Sequence, residues 1–147
     1  MDPEAIASIE AWRAETGVVN LAPPLALDVT ADAWPVAHAD AITCINMIHI
    51  SPWEATLGLF AGAARTLASG GLLYLYGPYR FGGTFTAPSN EAFDASLRSR
   101  DARWGVRDIK DLEAAASGFA LREIVAMPAN NHSLIFRRAQ SPGTSQR

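Results

Sequence analysis

His49 is the residue best suited to moving a proton in this chain of 147 residues. An imidazole has an ordinary pKa near neutrality, so it can take up and return a proton at working pH. It follows Asn46-Met47-Ile48 at the end of an apolar run, Ala41–Ile48. A second apolar run, Leu72–Tyr76, ends at Gly77-Pro78 and is followed by Tyr79 and Arg80. Between the two runs, Trp53, Leu57, Phe60, Ala64 and Leu67 recur at steps of three or four, the spacing of one helix face. Strand, helix and strand in that order form a parallel unit, and in open parallel sheets ligands sit beyond the carboxyl ends of the strands. Asn46, His49, Pro78 and Tyr79 fall there, so the groups able to do chemistry also occupy the expected site. A structural histidine held by backbone between Ile48 and Ile50 is an equally good reading of His49.

Local signals refine the unit. Ser51-Pro52-Trp53-Glu54 predicts a helix start, with Ser51 as N-cap, Pro52 at the first helical position and Glu54 closing a capping box. Gly70-Gly71 predicts its end, since glycine takes the left-handed cap without steric cost. The nearly unbroken run 41–48 predicts a parallel strand covered on both faces.

The remaining elements frame this unit. Glu4–Glu15 predicts a short helix with Ile6, Ile9 and Trp12 or Arg13 inward and Gly17 at its end. Pro23-Pro24 leaves only Leu25–Leu27 as a short strand, ending at Asp28-Val29. Arg80–Pro88 is a loop, and Ser89 or Asn90 caps a helix to Arg100 that buries Phe93 and Leu97. Asp108 with Asp111 opens a helix whose face is Ile109, Leu112, Ala115 and Ala116, closed by Gly118. Phe119–Met127 and Ser133–Arg138 are separated by Pro128–His132, a spacing that implies an antiparallel pair. The order predicts an open α/β sheet, mostly parallel with a C-terminal antiparallel strand pair, in one domain over residues 1–138. Residues 139–147 are polar and are expected to form a disordered tail.

Composition removes several classes. A formal charge of −3 and a pI near 5.5 argue against a nucleic-acid or anionic-membrane surface. No apolar stretch approaches a membrane span. The single cysteine, Cys44, lies in the most apolar run and is expected to be a buried small hydrophobe. One cysteine allows no intrachain disulfide, so a reducing cytoplasm is the simplest location. His38, His49 and His132 are dispersed without cysteine partners, which argues against a dedicated metal site. A G-x-S-x-G elbow and a P-loop are both absent, and Gly82-Gly83 is no dinucleotide fingerprint.

Several blocks in order resemble a known family. Asn46-Met47-Ile48-His49-Ile50-Ser51-Pro52-Trp53 and Gly70-Gly71-Leu72-Leu73-Tyr74-Leu75-Tyr76-Gly77-Pro78 are very similar to the methyltransferase-like protein 26 family. So are Ala87-Pro88-Ser89-Asn90, Phe93-Asp94, Trp104-Gly105-Val106-Arg107-Asp108 and Met127-Pro128-Ala129-Asn130-Asn131. The resemblance runs from about Asp2 to Arg138. It implies a partial Rossmann-like class I methyltransferase sheet, with S-adenosylmethionine (SAM) as cofactor and a small molecule as acceptor.

The same resemblance suggests roles. Asp28 and Val29 would meet the adenine, since a carboxylate accepts from the exocyclic amine while the adjacent N–H serves a ring nitrogen; a turn aspartate is the alternative reading. Asn46 and Met47 would lie at the methionine end. His49, with Tyr79, would serve catalysis, His49 as base where the acceptor must lose a proton. Tyr76, Arg80, Asn130 and Asn131 would line the acceptor side, although packing and turn roles explain Tyr76 and the asparagines equally well. Trp104 and Arg107 would belong to a lid built by the inserted helix, although a satellite hydrophobic cluster would look the same.

Family members also carry an upstream glycine-rich turn, which this sequence lacks. The chain thus resembles a member lacking the first two strands, through a late start, truncation or proteolysis. Weak or absent SAM binding is then expected. The strand 41–48 is expected to have an unpaired edge, covered by the Leu25 strand or by a second chain as a homodimer. A non-enzymatic module using that edge is the alternative.

Overall fold

The computed structural model describes residues 2–140, so the last seven residues of the expected tail lie outside the described residues. Helix α1 (Pro3–Thr16) starts with Asp2 accepting from the Glu4 N–H and ends at Gly17 in the left-handed region. It buries no residue. Ile9 is 50% and Trp12 65% exposed, which corrects their expected inward placement, while Ile6 and Arg13 are half-buried.

The central sheet has the order β1-β2-β6-β5. Strand β1 (Ala39–Ile45) pairs parallel with β2 (Leu67–Gly77). A minor hairpin, β3 (Arg80–Phe81) with β4 (Thr84–Phe85), follows β2. Strand β5 (Phe119–Met127) and β6 (Asn131–Arg138) are antiparallel, and β6 is antiparallel to β2. This mixed sheet has the topology of a partial Rossmann-like class I methyltransferase. The expected Leu25–Leu27 strand does not form. Pro23-Pro24 supplies no N–H donors, and the segment lies beside β1 without a ladder. The outer edge of β1 therefore has no strand partner among the described residues.

Helix α2 (Trp53–Thr66) and the short α4 (Ile109–Ala115) cover one face of the sheet. Leu59, Phe60 and Ala63 of α2 meet Leu73 and Leu75 of β2 and Leu134 and Phe136 of β6. The buried stripe of α2 is rotated from the expected one: Ala55, Thr56, Leu59, Phe60, Gly62, Ala63 and Thr66 are buried, while Leu57 is 45% exposed. The start also differs. Pro52 is the N-cap, and the Ser51 hydroxyl donates to the Met47 carbonyl instead of capping. Thr66 ends the helix, so Gly70-Gly71 lie in a bulged part of β2, where pairing jumps from Ala39↔Leu67 to Ala41↔Leu72.

The opposite face of β1 is open. Cys44 is buried but Ile45 is 63% exposed, so the strand is covered on one face only and not on both as its apolar run implied. Helix α3 (Pro88–Arg100) buries Asn90, Asp94 and Leu97, whereas Phe93 is 38% exposed. Its N-cap is Ala87, and neither Ser89 nor Asn90 caps it. Helix α4 follows expectation, with Asp108 as N-cap accepting from Lys110 and with Ile109, Leu112 and Ala116 buried. Among the described residues no helix is long and apolar enough to cross a membrane.

Candidate functional site

Asn46 is where the chain leaves β1. Its N–H continues the ladder to the Tyr76 carbonyl (2.9 Å), but its own backbone turns left-handed (φ 58°), which asparagine tolerates better than most residues. Its carbonyl then accepts from the His49 N–H (3.0 Å), closing a short 3-10 turn over Met47–His49. The apolar run is thus cut into strand and turn, and Met47, Ile48 and His49 face different surroundings.

His49 is wholly buried. Its Nδ1 accepts from the Arg107 N–H (3.3 Å), and its carbonyl accepts from the Gly105 N–H (2.9 Å). The ring stands edge-on to Tyr79, 5.1 Å between centroids, and Nε2 has no hydrogen-bond partner. Burial, and next the nearby Arg107 charge, push its pKa down to about 4, so the imidazole is neutral near pH 7. Tyr79 is also wholly buried with an unpartnered hydroxyl, and burial drives its pKa up, so it is a neutral phenol.

The loop after α3 locks this turn from outside. Asp94 accepts from the Val106 N–H (2.7 Å) and from Arg98 Nε (2.8 Å). Arg107 donates to the carbonyls of Ile48 (2.9 Å), Ser51 (2.6 Å) and Arg103 (3.1 Å), and stacks over Trp53. Asp94 was not singled out from the sequence as a site residue; its place in a helix otherwise read for apolar residues hid it.

An open cleft of about 590 Å³ lies between residues 26–30 and the start of α2. Asp28, Val29 and Thr30 form one wall; Ser51, Pro52, Glu54 and Ala55 form the other. Two glycines on α2 seat this loop. A Cβ at Gly58 would stand 2.6 Å from the Val29 carbonyl oxygen, and one at Gly62 would overlap the Trp34 ring at 2.0 Å. Asp28 Oδ1 accepts from both the N–H and the hydroxyl of Thr30 (2.9 and 2.7 Å). Those bonds keep the carboxyl pKa below its ordinary value and leave Oδ2 outside them. The Val29 N–H has no partner among the described residues. An apolar hollow of about 270 Å³ adjoins the cleft through Leu27 and Val29, and runs along the free edge of β1 past Cys44 and Ile45 to Met47.

Asp28, Val29 and Met47 thus lie around one connected depression, and Asn46 holds the turn at its end. The other sequence candidates lie elsewhere at the same end of the sheet. Tyr76 pairs with Ile45 and Ser133 in the ladder. Arg80 lines a different cavity with Arg107. Asn130, left-handed at φ 57°, accepts from Asn90 Nδ2 (2.9 Å) and donates to Ser89 Oγ (3.3 Å), while Asn131 donates to the Pro128 carbonyl. Ser51, Pro52 and Glu54 were missed as cleft residues because they read as a helix start, and Ala55 carried no signal of its own. The spacing of Gly58 and Gly62, four apart on one helix face, was the available signal.

A family model described as "Protein of unknown function (DUF938)" matches residues 1–138. Among solved structures, the mitomycin 7-O-methyltransferase MmcR superposes with a TM-score of 0.79 at 16% identity, covering 93% of this chain and 40% of that one. An O-methyltransferase family 2 protein from Planctomyces limnophilus, solved with apigenin, gives 0.76 at 20% identity over 93% and 42%. The SAM-dependent methyltransferase SibL, in its apo form, gives 0.73 at 20% identity over 95% and 42%. These likenesses show the fold of class I SAM-dependent methyltransferases. The chain spans about two fifths of each of those structures.

Proposed function

The chain belongs to the DUF938 family, and from that premise we propose that residues 1–138 form a methyltransferase-like domain. Its cofactor would be SAM and its acceptor a small molecule in the cytoplasm. The observation that carries the reading is the acid-lined cleft between Asp28–Thr30 and Ser51–Ala55 at the carboxyl end of β1. Asp28 offers an acceptor and the adjacent Val29 N–H a free donor, the complement of an adenine edge with its amine donor and ring-nitrogen acceptor. Glu54 adds a second carboxylate, which suits a cationic sulfonium ligand. The resemblance to the methyltransferase-like protein 26 family supports the same reading.

When bound, SAM supplies an electrophilic methyl group on a sulfonium. The protein's part in such a displacement is chiefly positioning. Met47 and the hollow beside β1 present an apolar wall, and Asn46 fixes that wall to the strand. His49, buried and neutral, holds Gly105 and Arg107 against the turn and acts as a positioning residue. Tyr76, Asn130 and Asn131 lie at the same end of the sheet, toward the acceptor. Affinity is expected to be weak, because the cleft is open and no glycine lines it.

Calorimetry with SAM tests this. Asp28→Asn keeps an acceptor for Thr30 but removes the charge, so weak saturable binding should fall by about tenfold. Equal affinity in the variant would exclude Asp28 from the site.

A further inference from the structure

The cavity that holds Arg80 has features that methyl transfer does not use. It measures about 530 Å³, within the range of small-molecule pockets, and is separate from the cleft beside Asp28. Trp53 and Leu57, one turn apart on α2, form one wall, and Ala114 and Ala115 of α4 face them. Two guanidinium groups complete it. The Arg80 N–H donates to the Arg107 carbonyl (2.9 Å), so the two residues are tied together by backbone and both side chains reach the cavity.

Neither cation is held in a direct ion pair. Among the described residues no carboxylate lies within ion-pair distance of Arg80 or Arg107. Arg107 spends Nε and one Nη on backbone carbonyls, and its Nη1 has no partner among the described residues. Arg80 has a buried Nε without a partner and lies over the Phe85 ring at 5.7 Å. Asp108 is close enough for its charge to attract Arg80, but its oxygens accept the N–H groups of Gly82, Gly83 and Lys110 and make no direct pair with the guanidinium. Asp111 also lines the cavity, from an exposed position on α4. Burial, and next the nearby Arg98 charge, lower the Arg107 pKa against the opposing charges of Asp94 and Glu54.

We propose that this cavity binds a small carboxylic acid with an aromatic body. The carboxylate bridges Arg80 and Arg107, and the body lies among Trp53, Leu57 and the two alanines. Guanidinium suits the role because its planar donors match a carboxylate. The assignment is independent of where SAM sits.

The test is calorimetric titration of the full chain with 2-naphthoate, the neutral 2-naphthalenemethanol and inorganic phosphate. Naphthoate should bind saturably, and the alcohol and phosphate at least about tenfold more weakly, since each lacks one half of the recognition. Arg80→Met should weaken naphthoate by about tenfold and leave the alcohol unchanged, while Asp111→Asn should tighten naphthoate by removing a like charge. Ala114→Trp, at an exposed helix position, should block all binding by filling the cavity. Naphthoate binding no better than the alcohol, or unaltered by both Arg80→Met and Ala114→Trp, would overturn the assignment.

Discussion

The imidazole of His49 lies so close to Gly77 that a Cβ at position 77 would stand 2.6 Å from Nε2 and 2.8 Å from Asn46 Oδ1. The end of β2 and the turn after β1 are therefore fitted to each other without room for a methyl group. Gly77→Ala should push His49 and Asn46 aside and destabilise the protein by about 1–3 kcal/mol, as overpacking of a filled interior does. Chemical denaturation measures this; a loss under about 0.5 kcal/mol would mean the turn is soft.

His49 should also make the fold sensitive to acid. Its folded pKa, about 4, lies below the unfolded value near 6.5. The unfolded chain then binds a proton that the folded chain refuses, so stability is full above about pH 6.5 and falls as pH drops toward 4, by up to roughly 3 kcal/mol. His132, whose pKa burial also lowers, adds to the same trend. Denaturation curves across that window should be flatter for His49→Gln than for the parent, and parallel curves would contradict a buried neutral imidazole.

Gly62→Ala places a methyl group inside the Trp34 ring position. Trp34, whose indole N–H donates to the Val29 carbonyl (3.3 Å), should be expelled and its fluorescence shifted to the red. The Asp28–Thr30 wall of the cleft should loosen with it. An unchanged emission spectrum would show that the loop is not seated on α2 as described.

Asp94→Ala leaves the buried Val106 N–H unpaired and frees Arg98. The expected cost is about 1–3 kcal/mol. Hydrogen exchange at Val106 and Arg107 should accelerate, and unaltered exchange at both would remove Asp94 as the anchor of that loop.

The parts of this molecule that were legible in the sequence are those set by local chemistry. Asp108 as a cap, the Ile109–Leu112–Ala116 face and the hairpin around Pro128 all follow from residue type and spacing. What was illegible depended on contacts between distant segments. The buried stripe of α2 is chosen by where Gly58 and Gly62 admit the 28–34 loop, so Leu57, a core residue by its spacing, faces outward. Asn46 ends β1 early because the Tyr76 carbonyl captures its N–H while its backbone turns left-handed, and no apolar pattern records that. Among the candidate site residues, Asp28, Val29 and Met47 came together. His49 and Tyr79 fell into the interior, against Gly77, Gly105 and Arg107.

The central claim is that SAM occupies the cleft between Asp28–Thr30 and the start of α2. Amide-resolved NMR titration of the chain with SAM tests it most directly, because weak binding still moves resonances. Shifts should concentrate at Asp28, Val29, Thr30, Met47 and Glu54, and saturate along one curve. Their absence at high SAM, or a set confined to Arg80, Arg107 and α4, would contradict the account.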